Sequence, residues 1–339
     1  MTVHVLPCEK VPAPASLGWD AGLEATEALM RSLAAAGRLD RAGIMVQEHL
    51  ATGGKRVRAR LALAAADAFG LPRDRAVPWA AAVELLHNAT LIHDDIQDGD
   101  TTRRGQPTTW VRHGVGQAIN AGDLMLMLPF LSVSQADVSG DVRAALCRLL
   151  ADAALCTVRG QVEDLDLLPG GHLGRASWER AARGKTGGLF SLPIQGAALC
   201  AGLDLDVART VAAPFEEVGV LFQLQDDVVD LYGNKGRGAV GSDLREGKVS
   251  SLVVAHLERC PEDQDWLLGV LRADRADTAD ADVLLACRRF RESGALEAVV
   301  DDIRRIETGV RTDPRLPETL RPVAVELLGL VLRPIQHLL

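Results

Sequence analysis

Leu91-Ile92-His93-Asp94-Asp95-Ile96-Gln97-Asp98 ends an apolar run in three carboxylates, and Leu224-Gln225-Asp226-Asp227-Val228-Val229-Asp230 does the same 132 positions later. Residues three and four apart on a helix share a face, so each triplet crowds its acids onto one patch. Like charges at that spacing cost roughly 0.2–0.5 kcal/mol per pair. A double acid on a helix is commonly just a solvated face. Here the approaches, Ala89-Thr90-Leu91-Ile92-His93 and Leu221-Phe222-Gln223-Leu224-Gln225, read as buried, which puts the acids at the mouth of a cavity, where a carboxylate needs a partner. Carboxylates with room for water and phosphate oxygens are the ligands Mg²⁺ prefers, so the pattern points to metal–diphosphate chemistry.

Outward from these two stretches the periodicity is helical almost throughout, with boundaries near 20–36, 41–51, 55–69, 76–98, 115–135, 139–166, 175–184, 188–202, 205–231, 249–258, 262–272, 280–291, 293–309 and 317–337. Breakers separate the segments: Gly53-Gly54, Gly70-Leu71-Pro72, Gly105-Gln106-Pro107, Pro169-Gly170-Gly171, Gly187-Gly188 and the glycines from Gly233 to Gly241. One Tyr and six Phe leave little aromatic material for strands. No repeat of 20–50 residues and no shift in composition marks a boundary. The expectation is an all-α chain, with a loose tail over 1–17 and one helical domain over 18–339.

The 339 residues are 47% apolar, enough for a sizeable core, and carry a formal charge of -9 without a basic block, which argues against nucleic acid as partner. Cys8, Cys147, Cys156, Cys200, Cys260 and Cys287 are scattered without a CxxC pair, as expected of reduced thiols in a cytoplasmic protein. Pro7, Glu9, Pro12 and Pro14 exclude a signal peptide of the usual form, and charges interrupt each apolar run before the length of a membrane span.

Glycine turns that open helices and carry cations supply the anion half of the site: Gly53-Gly54-Lys55-Arg56-Val57-Arg58, Arg103-Arg104-Gly105, Lys185-Thr186-Gly187-Gly188 and Gly241-Ser242-Asp243-Leu244-Arg245-Glu246-Gly247-Lys248. Each alone is an ordinary cap or solvated cation. In order with Glu84-Leu85-Leu86-His87, Gly122-Asp123, Gly160-Gln161 and the two aspartate triplets, they resemble the all-trans isoprenyl (polyprenyl) diphosphate synthases, of geranylgeranyl/farnesyl diphosphate synthase type. The resemblance is clear from about Leu50 to Leu257 and fainter beyond.

It implies an antiparallel helical bundle around a central cavity, usually homodimeric, that condenses isopentenyl diphosphate head-to-tail with an allylic diphosphate. By position it implies that Asp94, Asp95, Asp98, Asp226, Asp227 and Asp230 hold Mg²⁺, three ions once diphosphate is bound. Arg103, Lys185 and Lys248 would contact the allylic diphosphate; Lys55, Arg58, His87 and Arg104 would bind isopentenyl diphosphate; Thr186 and Gln223 would turn oxygens to the allylic cation. Two positions depart from the family: Ala59 stands where Pro is usual, and Gly238 where a Lys is common, with Lys235 or Arg237 near enough to replace it.

In this family, bulk below the first aspartate triplet sets product length. Ala89 and Thr90, one helical turn or more before Asp94, are small, with Leu86 further down. Met125 and Leu128 on the facing helix are candidates for a lower limit. The expectation is a geranylgeranyl (C20) product, with C15 and C25–C35 as alternatives. A non-catalytic partner subunit would be expected to lose an aspartate triplet, and a class I terpene cyclase to carry a different second metal motif and an aromatic pocket; aromatics are 4% of this chain.

Overall fold

The computed structural model describes residues 22–35, 40–233 and 240–339. Along these residues run α1 (Leu23–Ala35), α2 (Arg41–Ala51), α3 (Val57–Ala68) and α4 (Arg73–Gln97). A two-strand hairpin, β1 (Thr102–Arg103) and β2 (Gln106–Pro107), precedes α5 (Thr109–His113), α6 (Val115–Ser134), α7 (Gly140–Asp166) and α8 (Arg175–Ala182). A π turn at Arg183–Gly187 leads into α9 (Gly188–Cys200), then α10 (Leu205–Tyr232), α11 (Ser242–Arg245), α12 (Ser251–Leu257), α13 (Gln264–Leu271), α14 (Asp280–Glu292), α15 (Ala295–Thr312) and α16 (Arg321–Leu332). The all-α expectation holds. The tail up to Leu17, and the Lys235, Arg237 and Gly238 question, lie outside the described residues.

The two longest helices, α7 and α10, begin where short polar side chains cap them. Ser139 accepts from the Val142 amide at the head of α7, and Asp204 from the Val207 amide at the head of α10, relieving N–H groups that have no partner inside the helix. α4 is the central element: it packs on α1, α3, α6 and α9 and buries residues on nearly every side. The main core joins α3, α4, α7, α9, α10, α12, α15 and α16, while α1, α2, α4 and α6 share a second cluster around Met30, Met45, Leu85 and Met125.

Glycines let the π turn sit close to its neighbours. A Cβ at Gly160 of α7 would overlap the Lys185 amide, and one at Gly219 of α10 would stand 2.6 Å from the Gly187 Cα. Single π turns inside α-helical runs favour functional positions because they push side chains out of register. This one delivers Lys185 and Thr186. Sequence periodicity ended a helix near 184 and restarted it at 188; the backbone runs through. Among the described residues no helix is long and apolar enough to cross a membrane.

Candidate active site

Two adjoining chambers open beside the C-terminal half of α4. The first, about 290 Å³, is lined by Asp94, Asp98, Asp164, Lys185, Gln223, Asp226, Asp227 and Lys248. The second, about 500 Å³, is lined by Lys55, Arg58, His87, Arg104, Phe190 and Phe222. Leu91 and Arg103 line both and form the shared wall. The residues expected around an allylic diphosphate thus gather in one chamber, and those expected around isopentenyl diphosphate in the other.

Within each triplet the acids separate by environment. Asp95 is 1% exposed and does not line the first chamber; Arg103 Nε donates to its Oδ1 at 2.7 Å. Burial pushes the Asp95 carboxyl up, against the pull of Arg103. Asp230 is likewise drawn into the backbone: Ser242 Oγ donates to its Oδ1 at 2.6 Å and the Asp243 amide to its Oδ2 at 3.2 Å. Of the two triplets, Asp94, Asp98, Asp226 and Asp227 line the chamber. Asp227 is oriented by the Ser251 amide at 2.6 Å and Gln223 Nε2 at 3.2 Å.

Lysines face these acids. Lys248 Nζ donates to Asp98 Oδ2 and Lys185 Nζ to Asp164 Oδ2, both at 2.9 Å. Burial alone would lower both ammonium groups, but the surrounding carboxylates outweigh it and raise them, so both stay charged. Burial raises Asp94, with Lys185 opposing. Among the described residues no three His, Cys, Asp or Glu side chains converge as a metal cage of protein alone would. Open pairs of hard oxygen ligands beside lysines fit Mg²⁺, which keeps several waters and is held by one or two carboxylates plus substrate phosphates.

The second chamber is built by two tight turns. Gly53 and Gly54 take φ of 81° and 124°, and Arg104-Gly105 closes the hairpin with φ of 53° and 75°, the left-handed pair a two-residue hairpin turn requires. The hairpin turn swings Arg104 onto the Gly53 carbonyl. Arg58 Nη1 lies 3.0 Å from His87 Nε2, and since arginine can only donate, Nε2 accepts and Nδ1 carries the ring proton. Burial, then the neighbouring arginines, hold His87 well below its usual range. The Ala59 amide donates to Glu84 Oε2 at 3.1 Å. A proline there would lose that bond, so the departure from the family pattern gains a helix-start contact.

Thr186 Oγ1 donates to Gln223 Oε1 at 3.4 Å; Gln223 lines the first chamber, whereas Thr186 does not. Ala89, Met125 and Leu128 share the α1–α2–α4–α6 cluster, Leu86 packs in the main core, and Thr90 is half-buried with its hydroxyl on the His87 carbonyl. Sequence reasoning assigned no role to Leu91, Asp164, Trp178, Glu246 or Arg275, all of which line the first chamber. Asp164 carried a signal, an acid one turn after Gly160; Arg275 carried none.

A family model described as polyprenyl synthetase matches residues 43–287. The short chain isoprenyl diphosphate synthase of Methanocaldococcus jannaschii is 36% identical over 220 residues, 63% of this chain and 66% of that protein. This chain thus spans just under two thirds of that relative's length. The geranylgeranyl diphosphate synthase of Sulfolobus acidocaldarius is 33% identical over 243 residues, 70% of this chain and 73% of that one. Among solved structures, a geranylgeranyl pyrophosphate synthase superposes with a TM-score of 0.83 at 26% identity, covering 93% of this chain and 99% of its own. A decaprenyl diphosphate synthase from Rhodobacter capsulatus superposes at 0.81 with 25% identity, covering 94% and 96%.

Proposed function

The chain belongs to the polyprenyl synthetase family, and from that premise we propose that it is a prenyltransferase joining isopentenyl diphosphate head-to-tail to an allylic diphosphate, with a C20 product. The observation that carries the reading is the pair of adjoining chambers, one acidic with lysines and one cationic, sharing Leu91 and Arg103. A divalent ion bound through Asp94, Asp98, Asp226 and Asp227 would supply charge neutralisation of the leaving diphosphate.

The chain's own residues would do the rest. Lys185, Lys248 and Arg103, which line the first chamber, would stabilise charge that develops on the leaving group. Arg58, Arg104, Lys55 and His87, which line the second chamber, would orient the second diphosphate. Phe190, whose ring face holds the Arg58 guanidinium 4.9 Å from its centre, and Phe222 wall the second chamber, and with Leu91 they would keep water from the allylic cation. Thr186 and Gln223 offer oxygens to the same charge. The isopentenyl double bond attacks the allylic carbon, the C–O bond breaks, and the proton lost from the new chain passes to the departing diphosphate. No side-chain nucleophile is required.

A homodimer is part of this reading. Met127 and Leu131 on α6, with Leu155, Val158, Val162 and Leu165 on α7, form a stripe of large exposed apolar side chains. Two adjacent helices with such a stripe suit a self-complementary two-fold interface.

The test is Mg²⁺-dependent turnover of purified protein with dimethylallyl and isopentenyl diphosphates, the products read by mass spectrometry. A C20 diphosphate is expected. Hydrocarbon release would indicate a cyclase, no turnover a partner subunit, and C15 or C25–C35 diphosphates would revise the length alone.

A further inference from the structure

Arg275 lies outside every motif above, in the 272–279 segment between α13 and α14. Its Nη1 donates to the Asp98 carbonyl at 3.1 Å, and its Nη2 stands 3.2 Å from Glu246 Oε1 and 3.9 Å from Asp100 Oδ1. One guanidinium therefore ties the end of α4, which carries the first aspartate triplet, to the turn that carries Lys248. The fork of donors on arginine suits such double duty better than a lysine would.

Glu246 is 8% exposed at its side chain, and Lys248 Nζ lies 2.8 Å from its Oε2. The same ammonium donates to Asp98 Oδ2 at 2.9 Å. Two carboxylates thus hold one lysine. A divalent ion held through Asp98 would take that carboxylate from Lys248 on one side. On the other side Glu246 still holds it. A buried carboxylate stripped of other cations grips its remaining partner harder, because leaving a charge buried and unpaired is costly. Arg275 is a second cation on Glu246, and it also lines the chamber.

We propose that Arg275 is a positioning residue for the allylic substrate: by satisfying Glu246 it frees Lys248 to turn from Asp98 to a phosphate oxygen. This rests on the first chamber's being the allylic diphosphate site. The opposite role, a staple that only steadies the 272–279 segment, makes different demands on the same variants.

The experiment compares Arg275→Ala, Arg275→Lys, Glu246→Gln and the double variant Arg275→Ala/Glu246→Gln in the full-length protein. The readouts are KM for geranyl diphosphate, KM for isopentenyl diphosphate, kcat and Tm. Loss of one charge-assisted contact on a buried acid is expected to raise the geranyl diphosphate KM of Arg275→Ala about five- to tenfold, with the isopentenyl diphosphate KM and Tm unmoved. Arg275→Lys is expected to recover part of the loss. The double variant is expected to return to about twofold of the Glu246→Gln value, since no acid is left to compete for Lys248. The proposal is overturned if the geranyl diphosphate KM of Arg275→Ala is unchanged, if both KM values and Tm move together, or if Glu246→Gln gives no rescue. Asp94→Asn separates the two levels: if it abolishes turnover while Arg275→Ala is silent, only the role of Arg275 falls, whereas full activity in Asp94→Asn overturns the chamber assignment itself.

Discussion

At the residue scale, spacing made the three acids of each triplet look alike, and burial tells them apart. Nothing in Asp-Asp-x-x-Asp says that Asp95 turns toward Arg103 while Asp94 and Asp98 face the chamber. That distinction depends on which side of α4 meets the hairpin, a tertiary fact. The cations were legible because each sits in a glycine turn with its own local logic. His49 was not, because a lone histidine before a glycine pair has no pattern. It is 4% exposed, and burial, then Arg103, Arg104 and Arg56, hold it down at about 3. The unfolded chain titrates this group near 6.5, so between those values the unfolded state binds the extra proton and stability falls as pH falls. The slope is at most about 1.4 kcal/mol per pH unit for one such histidine. His49→Gln is therefore expected to flatten the decline of unfolding free energy between pH 6.5 and 5, measured by urea titration; an unchanged slope would show that His49 does not stay neutral. Thr90, half-buried on α4, is expected to shorten the product as Thr90→Phe. Ala89→Phe must instead force a ring into the sealed α1–α2–α4–α6 cluster and is expected to cost about 1–3 kcal/mol of stability.

At the element scale, helix periodicity located most of the described helices within a few residues, since apolar spacing and capping residues are local signals. It missed α5, α11 and the hairpin, which are too short to have a period. It also cut at Gly187-Gly188, where glycine marks close approach rather than an end. Here Gly184 and Gly187 press against Gly160 and Gly219, and the π turn between α8 and α9 aims Lys185 at the chamber. Gly160→Ala would place a methyl against the Lys185 amide, which is backbone and cannot rotate away. The expected result is about 1–3 kcal/mol lost in stability. A fall in kcat/KM is expected with it, larger than in Ala181→Gly, a buried change of similar size on α8. Circular dichroism melts and steady-state rates on both variants check this.

At the scale of the whole molecule, the bundle was legible because motif order carries it, while the meeting of two chambers at Leu91 and Arg103 was not, since it joins residues from distant helices. A second subunit was only implied by resemblance, and no motif marked a face for it. Val158→Asp, in the middle of the exposed α7 stripe, is expected to give monomers in sedimentation equilibrium, and a surviving dimer would place the interface elsewhere. α7 has two working sides. Leu155, Val158, Val162 and Leu165 point outward, and on the opposite side Gly160 and Asp164 meet the π turn and the Lys185 ammonium. In the proposed homodimer one helix would thus carry the assembly face on one edge and the lysine's counter-ion on the other. Dilution would then act as a control on output: dissociation of that pair would strip α7 of its outer support, and turnover per active site would decline as protein concentration drops, as if an inhibitor had been added.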